Sequence, residues 1–175
     1  MIINPSLLSP ENQEGIKVSV IGVGGTGSHM LRQLAILNLT LIQLNKRHLS
    51  VVAYDPEDVS FNNVNRQMFY PQDIGVNKAK ALIERINKTY GFFWDYRAEE
   101  YKVKQHDEII ITCTDTKSSR LKIYGKQKAF KDKNLWIDIG NDESGGQVTF
   151  DPYSMIEDNM EFYQEQEDNI PSCSA

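Results

Sequence analysis

Glycine residues near the start of the chain have the spacing of a phosphate-binding turn. Gly22, Gly24 and Gly27 follow a G-x-G-x-x-G pattern between an apolar run and a long helical pattern, and Gly25 lies beside the second glycine. The first glycine of such a turn allows a sharp bend, the second lets backbone approach a phosphate, and the third lets a helix pack on a strand. The N–H groups and the dipole at the helix start favour a negatively charged ligand. The stretch predicts a nucleotide site, and the alternative is a glycine-rich turn that binds nothing.

A carboxylate follows the next apolar run. Residues 49–54 have the pattern of a buried strand, and Asp55 stands at its carboxyl end. In nucleotide-binding α/β folds, a carboxylate at this place accepts hydrogen bonds from ribose hydroxyls. The alternative is that Asp55 only begins the turn that contains Pro56. We favour the ribose role.

Amide and basic side chains follow in a loop and at the start of the next helix. Residues 57–71 interleave asparagines and Arg66 with apolar residues and show no helix or strand period. Loops of this kind beside the carboxyl end of a strand commonly line a ligand. Lys78 falls in the first turn of a predicted helix, where a cation opposes the helix dipole, so the position suits a lysine that meets a phosphate. The alternatives are a salt bridge for Arg66 and a solvated position for Lys78.

Strand and helix patterns alternate along the chain, and these elements must position the candidate residues. The alternation predicts an α/β fold with a Rossmann-like, doubly wound, mostly parallel sheet and helices on both faces. The ligand of such a sheet binds across the carboxyl ends of the strands. The predicted strands span residues 17–21, 50–54, 92–97, 108–112, 134–138 and 147–150, and the predicted helices span residues 28–45, 74–89 and 117–131.

The first predicted helix has a broad apolar face. Leu34, Leu37, Leu41 and Leu44 recur along it at steps of three and four residues. We expect this whole face to be buried against the sheet. We also expect residues 45–48 to end the helix with positive charge, which the helix dipole favours.

Length, charge and cysteine content exclude several classes of protein. The chain has 175 residues, of which 40% are hydrophobic and 25% are charged, as in an ordinary one-domain soluble protein. A formal net charge of −5 argues against nucleic acid as the main partner. No apolar run is long enough to span a membrane, and the first residues do not have the pattern of a signal peptide. Cys113 and Cys173 form neither a disulfide framework nor a C-x-x-C pair, which favours a reducing, cytoplasmic setting.

Several motifs occur together in the order and approximate spacing of one enzyme family. Over residues 15–150 the sequence resembles the ThiF/MoeB/HesA family, the ubiquitin-activating-type adenylyltransferases, and most closely the short ThiF-like proteins of bacterial PRTRC systems. One glycine motif alone would be weak evidence, whereas several motifs in register are specific. The matching residues are Gly22-x-Gly-Gly-x-Gly-Ser28, Asp55, Asn63-x-x-Arg66-Gln67, Gly75-x-x-Lys78-Ala79, and Asp115 after an apolar strand.

The resemblance implies an enzyme that binds ATP and Mg²⁺. It would adenylate the C-terminal carboxylate of a small ubiquitin-like or sulfur-carrier protein that ends in glycine, and release pyrophosphate. By the same resemblance the glycine turn approaches the nucleotide and Asp55 holds the ribose. Asn63, Arg66 and Lys78 contact the phosphates, and Asp115 lies near Mg²⁺ or the reacting carboxylate. The resemblance makes Arg66, Lys78 and Asp115 the candidate catalytic residues, and it implies a homodimer.

The chemistry of adenylation explains these residue types. A carboxylate attacks the α-phosphorus of ATP and pyrophosphate leaves, so negative charge builds on the phosphoryl oxygens. Arginine stabilises such charge with a planar fork, and lysine does so as a compact point charge. No general base is needed, because a C-terminal carboxylate is already ionised at pH 7.

The sequence departs from the family pattern in three respects. Thr116 follows Asp115, where family members commonly have asparagine, and the chain is shorter than a full-length relative. No paired C-x-x-C is present, so we expect no structural zinc.

Cys173 could form a thioester, but it has no basic neighbour in the sequence, and we favour an inert thiol.

The resemblance also divides the chain into three parts. Residues 1–15 form an N-terminal arm, residues 16–152 form the ATP-binding ThiF-like domain, and residues 153–175 form an acidic segment. We expect the acidic segment to be solvated or mobile, with docking on a partner as the alternative.

Two other functions stay open from the sequence. A nucleotide-binding scaffold or sensor would keep the ATP site without transfer activity, which Thr116 and the short C-terminal part favour. An NAD-dependent oxidoreductase would share the glycine turn and Asp55, but it would leave Asn63, Arg66 and Lys78 unexplained. The adenylyltransferase is therefore the leading hypothesis.

Overall fold

A six-stranded sheet forms the centre of the computed structural model, which describes residues 14–102, 107–127, 134–141 and 146–150. The strands lie in the order β3-β2-β1-β4-β5-β6. Neighbouring strands are parallel except for the last pair, in which β6 runs antiparallel to β5. The strands are β1 (Ile16–Ile21), β2 (Leu49–Tyr54), β3 (Asp95–Arg97), β4 (Ile109–Thr112), β5 (Leu135–Asn141) and β6 (Gly146–Phe150).

Helices pack on both faces of this sheet. Residues of α1 (Gly25–Gln43) and α2 (Lys78–Tyr90) share a buried apolar cluster with Val20 of β1. Residues of α3 (Lys117–Gln127) share a second buried cluster with Ile21, the next residue of that strand. Because successive side chains of a strand point to opposite faces, α3 lies on the face opposite to α1 and α2. The prediction of a doubly wound α/β fold is confirmed. No helix in the described ranges is long and apolar enough to cross a membrane.

The chain changes direction across the sheet at β1. From β1 it proceeds through β2 to β3 on one side, and then returns to place β4, β5 and β6 on the other side. A ligand crevice forms in such sheets at the carboxyl ends of the strands, where the direction changes. The glycine turn, Asp55 and Asp115 follow β1, β2 and β4 respectively, so all three lie at this edge.

The ends of α1 differ from the predicted ends. The helix begins at Gly25 instead of residue 28, because the glycine turn itself forms its first turn. It ends at Gln43, and Asn45 then takes a left-handed φ of 52°. The N–H of Lys46 donates to the carbonyl oxygen of Leu41 at 2.8 Å. This hydrogen bond is typical of an α-helix that ends with one residue in the left-handed conformation.

The start of α2 also differs from the prediction. The helix begins at Lys78 instead of residue 74, because the side chain of Asn77 accepts a hydrogen bond from the N–H of Lys80 at 3.1 Å and so caps the helix. The strand predicted over 92–97 is shorter at its start. The predicted last turn of the third helix, residues 128–131, lies outside the described residues, as do residues 153–175 and most of the N-terminal arm.

Only part of the apolar face of α1 is buried. Leu34 and Leu41 pack in the core, but the exposed fractions of Leu37 and Leu44 are 47% and 63%. The expectation of complete burial is wrong for these two side chains. Among the described elements, only α2 lies beside α1 on this face of the sheet, so the opposite flank of α1 has no helix against it.

Arg47 lies in a buried cluster at the edge where the strands begin. Its two terminal nitrogens are each 3.0 Å from a different carboxylate oxygen of Glu108, and its Nε donates to the carbonyl oxygen of Glu14 at 2.9 Å. Glu108 also accepts a hydrogen bond from the N–H of Lys17 at 3.0 Å. The expectation that Arg47 serves the helix dipole is therefore wrong. It links the segments that precede β1, β2 and β4.

Candidate nucleotide site

The four glycines of the turn divide into two pairs by their surroundings. Gly22 has a φ of 85°, and a Cβ there would lie 2.8 Å from the carbonyl oxygen of Cys113. A Cβ on Gly27 would lie 1.9 Å from the carbonyl oxygen of Gly22, so neither residue can have a side chain. A Cβ on Gly24 would have its nearest neighbour at 4.0 Å, and one on Gly25 would have none within 4 Å. Gly22 and Gly27 thus serve the fold, while Gly24 and Gly25 face open space.

Asp55 connects the end of β2 to the glycine turn. One carboxylate oxygen accepts a hydrogen bond from the N–H of Val23 at 2.6 Å, and the other accepts from the N–H of Glu57 at 2.9 Å. Burial raises the pKa of Asp55, while these two hydrogen bonds and the nearby charge of Lys78 oppose that shift. Each carboxylate oxygen has two lone pairs, so Asp55 can still accept further hydrogen bonds. Its contact with ribose stays a prediction.

Lys78 lies beside Asp55 with only 6% of its surface exposed. Its Nζ is 2.5 Å from a carboxylate oxygen of Glu57, and its backbone N–H donates to the carbonyl oxygen of the same residue at 2.9 Å. The side chain of Glu57 is 69% exposed. The alternative of a solvated Lys78 is therefore wrong. The structure places a buried cation at the carboxyl edge with a largely solvated partner.

The loop between β2 and α2 lies over the glycine turn. The side-chain oxygen of Asn63 accepts a hydrogen bond from the N–H of Ser60 at 2.8 Å, so Asn63 stabilises its own loop, whereas Arg66 is exposed.

The side-chain nitrogen of Gln67 is the atom nearest to the Cβ position of Gly24, and its side-chain oxygen is buried without a hydrogen-bond partner in the described structure. Gln67 belongs to the Asn63-x-x-Arg66-Gln67 motif, but the sequence alone does not indicate its role. Its position beside Gly24 adds it to the candidate ligand contacts.

Asp115 is exposed just beyond the end of β4. The hydroxyl of the next residue, Thr116, accepts a hydrogen bond from the N–H of Ser119 at 3.2 Å, which is the N-cap contact of α3. Threonine and asparagine both serve as N-cap residues, so the departure from the family pattern at Thr116 has a structural explanation. It no longer favours a scaffold over an enzyme.

A buried ion pair between α3 and β5 lies close to Asp115. It was not predicted from the sequence. Arg120 of α3 has its Nε 3.2 Å from a carboxylate oxygen of Asp138, which is 2% exposed. A second nitrogen of Arg120 donates to the carbonyl oxygen of Thr114 at 3.0 Å. The one available sequence signal was the presence of an aspartate within an apolar strand.

Of the two cysteines, the structure describes only Cys113. Cys113 is buried, and its burial, with the nearby charge of Asp138 as a smaller cause, raises its pKa to about 12. The prediction that Cys113 belongs to the core is confirmed, since it is 4% exposed and packs within the main apolar cluster. Cys173 lies outside the described residues, and its role stays a prediction.

Protein side chains alone do not form a metal site in the described ranges. No group of three or more histidine, cysteine, aspartate or glutamate side chains there could hold an ion. Magnesium that binds with a nucleotide needs only one or two carboxylates, since phosphates and water supply the other ligands. The exposed carboxylate of Asp115 fits that requirement.

Comparison with known proteins identifies the family of the chain. A model of the ThiF family matches residues 4–174. The NEDD8-activating enzyme E1 catalytic subunit of Dictyostelium discoideum is 37% identical over 76 residues, which cover 43% of this chain and 15% of that protein. The fold is similar to a crystal structure of selenomethionine-labelled PaaA, with a TM-score of 0.56 and 23% identity over 77% of this chain and 40% of that chain. The chain therefore spans less than half the length of either protein.

Proposed function

This chain belongs to the ThiF family, and we propose that it uses ATP to adenylate the C-terminal carboxylate of a small ubiquitin-like or sulfur-carrier protein. The observation on which the proposal rests is the meeting of Asp55, Lys78 and the open glycines Gly24 and Gly25 at one edge of the sheet. These residues lie far apart in sequence, and the fold brings them to the carboxyl ends of neighbouring strands. The likeness to an E1 catalytic subunit supports a ubiquitin-like partner.

The contacts of the site support a nucleotide orientation across the carboxyl ends of the strands. Asp55 would accept hydrogen bonds from the ribose hydroxyls with its remaining lone pairs. The backbone at Gly24 and Gly25 would approach the phosphates, because, apart from the adjoining backbone, no atom of the described residues lies closer than 4.0 Å to a Cβ position there. Gln67, whose side-chain oxygen lacks a partner in the described structure, would gain one from the bound nucleotide.

The basic residues would stabilise the charge of adenylation. Lys78 would leave Glu57 for a phosphate oxygen, because the exposed carboxylate of Glu57 can return to water at little free-energy cost. Arg66 stands on the exposed loop, where it would reach the phosphates from outside, and Asn63 would contact them from the same loop. Magnesium, held by Asp115 and the phosphates, would neutralise part of the phosphate charge.

The proposed acceptor needs no acid–base group. A C-terminal carboxylate attacks as the ion that it already is at pH 7, so the site needs to orient it and to exclude water. A homodimer and a cytoplasmic setting belong to the same proposal. The match with a much longer E1 subunit leaves the acceptor protein to be identified by experiment.

Calorimetric titration of the purified chain with Mg·ATP, and separately with NAD, tests the proposal. We expect ATP to bind and NAD not to bind. Lys78→Ala should weaken ATP binding by about 1–3 kcal/mol, the range for a charge-assisted contact. Lys80→Ala is the matched control, since Lys80 lies on the same helix with its side chain 44% exposed and only a 4.0 Å contact to Glu84.

The outcomes separate the three candidate functions. ATP binding that depends on Lys78 but not on Lys80, followed by pyrophosphate exchange with a ubiquitin-like protein, supports the adenylyltransferase. ATP binding without exchange, over a panel of such proteins, supports the scaffold or sensor. NAD binding without ATP binding overturns the proposal in favour of an oxidoreductase.

A further inference from the structure

Arg120 holds the turn from which Asp115 projects, although it lies on a different element. We propose that Arg120 is a positioning residue, which fixes the backbone of Asp115 so that its carboxylate faces the Mg·ATP complex. The inference rests on the proposed function for the identity of the ligand. Its structural part, the fixing of the turn, can be tested in the protein without any ligand.

Two directed contacts hold the guanidinium of Arg120. The Nε lies 3.2 Å and 3.1 Å from the two carboxylate oxygens of Asp138 on β5. A terminal nitrogen donates to the carbonyl oxygen of Thr114 at 3.0 Å, one residue before Asp115. One side chain therefore joins the first turn of α3 to the middle of β5 and to the segment that follows β4.

Asp138 is itself fixed by the core. It is 2% exposed and accepts a hydrogen bond from the hydroxyl of Thr112 on β4. That hydroxyl accepts in turn from the indole N–H of Trp136 at 3.1 Å, and Trp136 is fully buried. A buried carboxylate needs such partners, since an unpaired one is strongly unfavourable. The chain of hydrogen bonds runs from the interior of the sheet to the turn before Asp115.

The fold also reserves the space that the guanidinium occupies. A Cβ on Gly140 of β5 would lie 2.7 Å from a terminal nitrogen of Arg120. The absence of a side chain at Gly140 therefore allows Arg120 to reach Thr114. The nitrogen that a Cβ on Gly140 would meet is the one that donates to Thr114, so a side chain there would disturb that contact.

The residue after Asp115 is fixed as well. Thr116 caps α3 through the N–H of Ser119, so Asp115 lies between two held residues while its own side chain is exposed. A fixed backbone lowers the entropy that the carboxylate loses when it binds a ligand. Such support for a metal ligand by its outer contacts is a general feature of metal sites.

Lysine cannot replace arginine in this position. The planar fork of arginine makes bonds in two directions at fixed angles, here to Asp138 and Thr114, whereas lysine is a single point charge. Arg120→Lys keeps the charge beside Asp138 and loses the contact to Thr114. It therefore separates positioning from simple charge balance.

Hydrogen exchange of the ligand-free protein tests the structural part. We expect amide exchange in residues 113–119 to be at least severalfold faster in Arg120→Lys than in the wild type, and moderately faster in Gly140→Ala. Arg47→Lys is the matched control, since Arg47 is also paired to a carboxylate but lies at the opposite edge of the sheet. Unchanged exchange in both Arg120→Lys and Gly140→Ala overturns the inference.

A double-mutant cycle with Mg·ATP as ligand tests the functional part. We expect Arg120→Lys to lower the affinity for Mg·ATP by about tenfold, as outer-contact substitutions at metal sites do. In the Asp115→Asn background the same substitution should have almost no further effect, because the two residues act as one unit. Independent effects of the two substitutions overturn the inference but leave the proposed function intact. Failure of the wild type to bind Mg·ATP overturns the proposed function, while the exchange result still decides whether Arg120 fixes the turn.

Discussion

The two edges of the sheet each contain a basic side chain with little exposure, but the two are paired differently. Where the strands begin, Arg47 makes two bonds to Glu108, and Glu108 also accepts from the N–H of Lys17. Where the strands end, Lys78 makes one contact to Glu57, whose side chain is 69% exposed. Both members of the first pair are held by other parts of the fold. In the second pair Lys78 is buried, whereas the side chain of Glu57 is largely exposed to solvent.

This difference indicates which charges serve stability and which serve binding. If a cation exchanged a partner that is itself held by several hydrogen bonds, it would lose those contacts and leave the partner's charge uncompensated. A buried cation whose partner is solvated can exchange that partner for a ligand, because a phosphate would replace the negative charge beside Lys78 while the carboxylate of Glu57 returns to water. The carboxyl edge also contains the open space at Gly25 and the side-chain oxygen of Gln67, which has no hydrogen-bond partner among the described residues. We therefore assign structure to one edge and ligand binding to the other.

The glycine turn gives the strongest test, because structure and binding meet within a few residues. Gly27→Ala places a methyl group against the backbone oxygen of Gly22, which no rotamer can relieve, so we expect a loss of about 3 kcal/mol or more in the free energy of unfolding. Gly25→Ala should change that free energy by less than about 0.5 kcal/mol. It should nevertheless weaken ATP binding, since its methyl group enters the open space. Urea unfolding and calorimetry measure the two effects, and equal destabilisation by both substitutions would contradict the division of the turn.

Substitution at the opposite edge should affect stability alone. Arg47→Ala leaves Glu108 without its main partner in a partly buried position, and we expect the free energy of unfolding to fall by about 3 kcal/mol. The affinity of the remaining folded protein for ATP should not change. Lys78→Ala provides the reverse pattern, with a small effect on urea unfolding and a large effect on ATP affinity. If Arg47→Ala weakens ATP binding as much as Lys78→Ala does, the assignment of the two edges is wrong.

Much of the fold and of the carboxyl edge follows from local sequence. The α/β pattern predicts a doubly wound sheet, and in such a sheet residues after neighbouring strands must meet at one edge. Gly22 and Asp55 could be placed there because each directly follows a strand that the pattern itself identifies. The finer boundaries could not, since α1 begins within the turn and α2 begins only after its cap at Asn77.

The long-range ion pairs could not be predicted from sequence. Arg47 and Glu108 are distant along the chain, and so are Arg120 and Asp138, so each pair exists only because of the order of the strands. Nothing in the local pattern selects one carboxylate as the partner. The prediction that Leu37 is buried was wrong for a similar reason. Burial depends on what lies beside the helix, and the apolar period of the helix does not reveal that.

The pH dependence of stability makes the smallest and most specific test of the comparison. Burial raises the pKa of Asp55 in the folded protein above its usual value of 3.8. As the pH rises past that value, the unfolded chain loses this proton first, while folded Asp55 still holds it. The folded state then binds more protons than the unfolded state, so the stability that Asp55 contributes falls with rising pH until the raised pKa is passed. The carboxyl edge thus loses stability near neutral pH by holding an ionised Asp55.

Asp55→Asn isolates this effect, because asparagine does not titrate. We expect the difference in free energy of unfolding, wild type minus Asp55→Asn, to decrease from pH 4 upwards and then to level off. Urea unfolding at a series of pH values measures it, with Asp95→Asn as a control for the loss of an exposed carboxylate. A difference that instead increases with pH would mean that the hydrogen bonds from Val23 and Glu57 outweigh burial. Asp55 would then belong with the structural charges of the opposite edge, and the contrast between the two edges would rest on Lys78, Gly25 and Gln67.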